Sequence, residues 1–317
     1  MRGLLIDLLK WTGLAAVVYV LLLIAAGTVS RFGADRNLKH TGGSDEMLFN
    51  RVRDIDTTAR YDVLVTGSSH AYRGFDPRVF QRNGLRLFNL GSSAQTPAQT
   101  SVLLDHHLHR VRPGLVIMEV YPKAIEQPGI ESALDVISND RIDRSTLRMA
   151  LATRHITVLN TLIYATFLQV TGLDRDRVSP EVRANGDRYI RGGYVQRGDT
   201  TYLPGRTTPF DIWTPLPAQR RQFAENVATI RATGARVVLV HTPVMPGHRL
   251  SGAAREDFTA SCMALGTYYD LSDLFAATDT AMFYDGHHLT QRGVDHFNQV
   301  LIQRLRADGV LEGASGQ

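Results

Sequence analysis

Short apolar runs alternate with helix-like stretches over most of this 317-residue chain. Each run is rich in Val, Leu and Ile and is followed within two residues by Gly or Pro. Strands separated by helices favour βαβ units and a parallel sheet that is covered on both faces. We therefore predict a three-layer α/β fold. The runs span residues 61–66, 85–90, 115–120 and 236–241, and the helical stretches span about 97–110, 216–233, 253–265 and 290–305.

The alternation breaks between about residues 128 and 212, which we interpret as an insertion into the α/β domain. Its first half has a helical pattern around residues 147–173. Its second half is rich in Gly, Arg and Tyr, which predicts loops or a hairpin near residues 189–194. The insertion is therefore expected to be mostly helical.

No charged residue occurs between Trp11 and Val29. As a helix, this run is about 28 Å long, close to the ~30 Å hydrocarbon core of a bilayer. We predict a membrane anchor at residues 1–29, a juxtamembrane spacer at 30–58 and a catalytic domain at 59–310. A cleaved signal peptide is the alternative, because Ala25–Gly27 offers small residues to a peptidase. Basic residues flank both ends, so the positive-inside rule does not orient the segment.

Charge and cysteine content exclude some classes of protein. The 35 basic and 31 acidic side chains give a net charge of +4 without a long basic run, so nucleic-acid binding is not predicted. The single cysteine, Cys262, lies in a helix-like context, and we interpret it as a core residue. Residues 105–109 hold three histidines, but neighbouring helical residues point about 100° apart. We predict a solvated helix face there and no metal site.

Two polar motifs lie at predicted turns. Ser69 follows the first apolar run, and a serine hydroxyl becomes a nucleophile when a base takes its proton. Asp285 precedes His288 by three residues at the start of the last helix. Its carboxylate can bond one ring nitrogen and leave the other to face a serine. Taken alone, the first motif also fits a helix cap and the second a polar surface loop.

Together the two motifs resemble those of the SGNH (GDSL-like) hydrolase superfamily. The matching residues are Gly67–Ser69, Asp285–His288 and Gly91 after the second strand, and the resemblance covers about residues 59–310 apart from the insertion. It implies a flavodoxin-like parallel sheet, the SGNH hydrolase fold. It also implies that Ser69 is the nucleophile, His288 the base and Asp285 its orienting acid, with the N–H groups of Ser69 and Gly91 as the oxyanion hole.

The sequence departs from the family pattern at two positions. Ser68 stands where the family has Asp, and Glu119–Lys123 stands where the family has Gly-x-Asn-Asp. The Asn of that motif would supply a further oxyanion donor, and Asn89 or His70 are candidate replacements. Removing one such donor costs about 100- to 1000-fold in rate.

The chain is similar to membrane-anchored members such as the alginate O-acetyltransferase and teichoic-acid D-alanylation proteins. This resemblance implies a single-pass inner-membrane protein whose domain faces the periplasm or cell exterior. It implies a serine esterase or O-acyltransferase that acts on acyl esters, such as O-acetyl groups of an envelope polysaccharide, with a multi-pass membrane O-acyltransferase as partner and no cofactor. The candidate substrate-binding residues are His70, Arg73, Tyr121, His241 and His287.

The alternative is a non-catalytic SGNH-like subunit that binds glycan or the membrane acyltransferase. The missing Asn after the third strand favours this alternative. The complete set of serine, histidine and acid opposes it.

Overall fold

The computed structural model describes residues 1–29, 37–43, 47–55, 58, 60–198, 202 and 211–312. Within these residues, the strands form one five-stranded parallel sheet and a separate antiparallel hairpin. The strands are β1 (Val63–Thr66), β2 (Leu87–Asn89), β3 (Leu115–Glu119), β4 (Arg188–Ile190), β5 (Tyr194–Gln196), β6 (Arg236–His241) and β7 (Thr267–Asp270).

The spatial order of the large sheet is β2-β1-β3-β6-β7, and β4 pairs with β5 in the hairpin. Numbered along the sheet strands alone, this is the order 2-1-3-4-5 of flavodoxin-like folds. The predicted fold class is therefore confirmed, and the segment for which loops or a hairpin were predicted forms a hairpin. In such sheets, ligands bind outside the carboxyl ends of the strands, where the strand order reverses. Here the order reverses between β1 and β3.

Helices cover both faces of the sheet. The helices of the described residues are α1 (Arg2–Val29), α2 (Leu48–Asp54), α3 (Ser69–Gly74), α4 (Pro77–Arg82), α5 (Pro97–Val111), α6 (Pro122–Glu126), α7 (Ile130–Asn139), α8 (Arg144–Thr153), α9 (Ile156–Thr171), α10 (Pro217–Ala232), α11 (Gly252–Met263) and α12 (Gln291–Ala307). Short 3₁₀ turns occur at Pro246–His248 and Thr280–Met282.

Alternate residues of each strand point to opposite faces, and this builds two separate cores. On one face, Leu64 and Val116 pack with side chains of α5, α10 and α11. On the other face, Val63 and Ile117 pack with side chains of α3, α4 and α12. Cys262 is buried in the first core, as expected for a small core residue.

The insertion between β3 and β6 adds a third core. Side chains of α7, α8 and α9 pack there against α5 and α2. In the predicted spacer, residues 30–36, 44–46 and 56–57 lie outside the described residues, as do residue 59, residues 199–201 and residues 203–210. The described part of the spacer contains α2. Its Leu48 and Val52 are buried in the third core, and the buried Arg51 donates from Nε to the carbonyl of Gly193 at 2.8 Å.

Helix α1 is 28 residues long, and its side chains are exposed over most of its length. Among the described helices it alone is long and apolar enough to cross a bilayer, a property that membrane anchors and signal sequences share. Only Leu23 of this helix is buried, and it packs against Tyr164 and Leu168 of α9. With Leu23 as its one buried residue, α1 is not a core helix of the α/β domain.

Candidate active site

Ser69 is the first residue of α3 and directly follows the sharp turn that Gly67 and Ser68 form after β1. Gly67 has φ +143°, and a Cβ on this residue would lie 2.5 Å from a Glu119 carboxylate oxygen, so only glycine fits. Ser68 is the N-cap of α3, because its Oγ accepts a hydrogen bond from the His70 N–H. The capping function thus falls to Ser68 and leaves the Ser69 hydroxyl for another partner.

That partner is His288, 219 residues away in the chain. The Ser69 Oγ lies 2.8 Å from His288 Nε2, and His288 Nδ1 lies 2.8 Å from Asp285 Oδ2. A carboxylate only accepts hydrogen bonds, so the Nδ1 carries the proton and Nε2 can accept from Ser69. The three predicted triad residues therefore form one continuous hydrogen-bonded chain.

The loop before α12 holds Asp285 in place. Its Oδ1 accepts the backbone N–H groups of His287 at 2.9 Å and His288 at 2.8 Å, while Thr290 caps α12 as its position predicts. Burial alone would raise the pKa of Asp285, but the hydrogen bond and the charge of His288 outweigh burial and lower it below its usual range. Asp285 is thus held as a carboxylate that can stabilise an imidazolium on His288.

The insertion supports the histidine from behind. The Tyr284 ring stacks on His288 with the ring centres 5.5 Å apart and the planes 6° apart. Arg197, which follows β5, lies over the Tyr284 ring at 5.0 Å. This support was not predicted from the sequence, because nothing local to residues 194–197 indicates which loop they pack against.

The predicted oxyanion donors differ in their availability. The Gly91 N–H already donates to Asn89 Oδ1 at 2.9 Å, and the Asn89 amide donates to the Ala71 carbonyl at 2.7 Å. Asn89 is therefore committed to holding the turn and is not an oxyanion donor in this arrangement. Gly91 can act as one only by exchanging its bond to Asn89. The other predicted donor, the N–H of Ser69, belongs to the first residue of α3.

Glu119, at the end of β3, makes a contact that the sequence did not reveal. Its Oε2 accepts both the backbone N–H of Ser68 at 2.7 Å and the Ser68 hydroxyl at 2.8 Å. Burial raises the pKa of Glu119 from 4.5 to about 7, although the two bonds from Ser68 lower it. This acid thus positions the residue next to Ser69 from the carboxyl end of β3.

A second hydrogen-bonded chain runs from Glu119 beside the triad. Ser68 gives its one hydroxyl proton to Glu119, so it accepts from His70 Nδ1 at 3.0 Å. His70 Nε2 is then unprotonated and accepts from His287 Nδ1 at 3.2 Å. In a neutral His287, the Nε2 atom is left as a hydrogen-bond acceptor.

Both histidines of this second chain are held neutral. Burial, followed by the charge of His288, lowers the pKa of His70 well below its usual value and that of His287 to about 3. The His70 ring also lies 4.3 Å from the Tyr121 ring and 5.0 Å from that of His288. At neutral pH, His70 and His287 therefore act as neutral hydrogen-bonding groups beside the triad.

The remaining predicted binding residues differ in the neighbours that they contact. The Tyr121 ring stands parallel to that of His287, with centres 6.1 Å apart. Arg73 forms an ion pair with the buried Asp187 of the insertion at 2.9 Å, so its charge is balanced. His241 is buried behind Tyr121, where burial lowers its pKa to about 4, and its Nδ1 lies 3.7 Å from Asp270.

The predicted solvated helix face at residues 105–109 is exposed at Asp105 and His109, but the prediction was wrong for His106 and His107. His106 and His107 of α5 are fully buried rather than part of a solvated face, because α7 and α8 of the insertion cover them. Both rings bond the same oxygen of Asp140, at 2.8 and 2.7 Å, and this carboxylate replaces the water they would otherwise need.

Two histidine clusters are compact enough to surround one metal ion, with ligand atoms within 4.8 Å of one another: His70, His287 and His288, and His106, His107 and Asp140. Hydrogen bonds account for both clusters. His288 uses its two nitrogens for Ser69 and Asp285, and Asp140 accepts from both of its histidines.

Replacing Glu119 by glutamine is expected to change the pH dependence of stability. Folding raises the pKa of this acid from 4.5 to about 7. Between these two pKa values, the folded state holds a proton that the unfolded state has lost. Glu119 therefore lowers the free energy of unfolding as pH rises through this window, by up to about 3 kcal/mol. In urea unfolding of the detergent-solubilised chain, the free energy of unfolding of the Glu119→Gln variant should rise relative to that of wild type between pH 4.5 and 7.

The matched control is Glu256→Gln, since Glu256 is exposed on α11. Its difference from wild type should be flat over the same range. An equally flat difference for Glu119→Gln would contradict the buried, proton-binding role of Glu119.

Comparisons with known proteins add little to this geometry. A scan against protein-family models gives no match, and neither does a search of curated proteins. Among solved structures, the chain is similar to a GDSL-like lipase from Bacteroides thetaiotaomicron, at 12% sequence identity and a TM-score of 0.37, over 81% of this chain and 90% of that chain. At that TM-score the overlap is loose, and the fold assignment rests on the strand order.

Proposed function

We propose that this protein is a membrane-anchored serine esterase or O-acyltransferase that works through an acyl-enzyme on Ser69. The observation that carries the proposal is the continuous chain Ser69–His288–Asp285, with 2.8 Å at each link. A nucleophile, a base and an acid that orients the base are the parts that acyl transfer needs.

In the proposed reaction, the Ser69 Oγ attacks an ester carbonyl while its proton moves to His288 Nε2. The C–O bond to the alcohol then breaks, and the alcohol leaves with the proton from His288. Water or a second hydroxyl next gives its proton to His288 and attacks the acyl carbon. The bond between that carbon and the Ser69 Oγ then breaks, and Ser69 takes the proton back from His288. Hydrolysis and transfer therefore differ only in the acceptor.

The N–H of Ser69 is the proposed first oxyanion donor and that of Gly91 the second. His70, Tyr121 and His287 surround the nucleophile and are the proposed contacts for substrate. The unprotonated Nε2 of His287 suits a hydroxyl donor, which is what a sugar acceptor offers. O-Acetyl groups of an envelope polysaccharide, supplied with the help of a multi-pass membrane acyltransferase, are the substrate that the family resemblance favours.

Helix α1 is proposed to anchor the domain to the inner membrane, with the domain on the periplasmic or external side. Its length, its apolar composition and its exposure in the fold support this role over a place in a soluble core.

A second candidate is a non-catalytic subunit that binds glycan or the acyltransferase. It is favoured by the bond between the Gly91 N–H and Asn89, and by a carboxylate rather than an amide donor at the end of β3. These features weaken the oxyanion hole, although they leave the triad complete.

Covalent labelling separates the two candidates. A fluorophosphonate probe should add to the full-length wild-type protein and give one adduct, mapped to Ser69 by peptide mass. Ser69→Ala should remain unlabelled at the same probe concentration. A folded wild type that takes up no probe would favour the non-catalytic subunit.

A further inference from the structure

Helix α9 is unusual among the helices of the domain because it carries no charged residue over Ile156–Thr171. It is too short to cross a bilayer by itself, yet it is apolar on more than its buried side. Ile156, Val170 and the following Leu173 are 53%, 80% and 65% exposed. Exposed apolar side chains on such a helix indicate contact with another apolar surface, either protein or lipid.

The apolar side chains of α9 that are only partly buried lie on one face of the helix. Ile156, Ile163, Phe167 and Val170 follow one another at spacings of seven, four and three residues, so they form a single stripe along the helix. The middle of the stripe is occupied by α1, since Ile163 and Phe167 pack against the cluster around Leu23. Ile156 and Val170 lie at its two ends and stay exposed.

The contacts with α1 also indicate how deep α9 would lie in a bilayer that α1 crosses. The Tyr19 hydroxyl donates to Asn160 Oδ1 at 2.7 Å, and Gly27 lies against the Tyr164 ring. Both α1 residues fall within the uncharged run of residues 11–29. If that run spans the membrane, the helix beside it shares the bilayer depth of residues 19–27.

From this continuity we propose that the stripe on α9 is a second membrane contact, which lies in the hydrocarbon and headgroup boundary of the same bilayer leaflet beside α1. The occupant of the exposed ends of the stripe is lipid. The inference rests on the anchoring role of α1 given under the proposed function, and it is independent of catalysis at Ser69.

Lipid suits this face better than water does. The exposed ends of the stripe are aliphatic, and Leu151 of the adjacent helix α8 is also exposed, at 56%. The exposed Thr166 and Thr171 of α9 donate their hydroxyl protons to backbone carbonyls of the same helix. The buried polar group at the crossing is satisfied within the protein, because Asn160 accepts from Tyr19 and donates to the Asn37 carbonyl at 2.8 Å. A domain held by α1 and by α9 would be fixed against the bilayer rather than free to swing on a linker.

Fluorescence quenching in vesicles tests this placement. The full-length chain, with the buried Cys262 replaced by alanine, receives single cysteines at Ile156 and Val170 that carry an environment-sensitive dye. Leu14→Cys in α1 reports membrane insertion, and Gln303→Cys, exposed on α12 across the sheet, reports water. The proteins are reconstituted into phosphatidylcholine–phosphatidylglycerol vesicles with or without nitroxide-labelled lipid.

We expect the dyes at positions 156 and 170 to be quenched by nitroxide lipid several-fold more than the dye at 303, and to be shielded from aqueous iodide. If position 14 is quenched but 156 and 170 behave like 303, the inference is wrong. Shielding from both quenchers would mean that protein covers the stripe, which also overturns it.

This experiment tests the anchoring role of α1 and the catalytic role of Ser69 separately. An unquenched dye at position 14 would remove the anchor and the second contact together. Hydrolysis of a soluble ester, measured on the same samples, reports on Ser69 alone and leaves the placement of α9 unaffected.

Discussion

Replacing Ser69 by alanine is expected to reduce kcat for hydrolysis of an activated aryl acetate on the order of 10⁶-fold. The reason is that the hydroxyl 2.8 Å from His288 Nε2 is the only proposed nucleophile, and without it no acyl-enzyme forms. Initial rates on the purified full-length protein, at saturating ester, measure the effect.

Ser93→Ala is the matched control. Ser93 follows β2, and its hydroxyl donates to Glu131 at 2.5 Å rather than to a triad residue. Its removal should leave kcat within a few-fold of wild type. Ser69→Ala should keep the wild-type circular dichroism spectrum, so that lost activity is not lost folding. Wild-type rates in a folded Ser69→Ala variant would rule out Ser69 as the nucleophile.

Replacing Asp285 by asparagine is expected to lower kcat on the order of 10⁴-fold. The asparagine oxygen can still accept the N–H groups of His287 and His288, so the loop should keep its shape. Its amide, however, donates to His288 Nδ1 and favours the tautomer with a proton on Nε2. That nitrogen can then no longer take the proton of Ser69.

Two further variants sharpen this prediction. Asp279→Asn changes a nearby acid that accepts from the backbone of Ala276 and makes no contact with His288, so it should have little effect. The double variant Ser69→Ala, Asp285→Asn should be no slower than Ser69→Ala alone, because residues that act as one unit are not additive. An additional loss of similar size in the double variant would show that Asp285 acts outside the triad.

The parts of the fold that follow from local pattern were predictable. A buried parallel strand is a short apolar run wherever it lies in the sheet, so β1, β2, β3 and β6 could be located from residue types alone. The cap of α12 at Thr290 is likewise a local matter. The spacing of Asp285 and His288 within one turn is local too, and so their hydrogen bond could be anticipated.

The environment of each side chain was harder to predict. His106 and His107 follow a pattern that suits a solvated helix, yet the insertion folds over them. Glu119 is a charged residue at the end of a strand, and its partner Ser68 lies 51 residues earlier. Nothing in the residues around Glu119 indicates that the turn after β1 passes above it.

The sequence by itself indicated four strands of the large sheet, the long helices α5, α10, α11 and α12, and the segment that suits a bilayer. By family resemblance, it also predicted which serine, histidine and acid act together. Only the tertiary structure decided that the Gly91 N–H is occupied by Asn89, that Glu119 holds Ser68, and that α9 rests on α1. The physical reason is that periodicity and turn chemistry act over a few residues. Burial and pairing depend instead on which distant elements cover a side chain, and no local pattern encodes this.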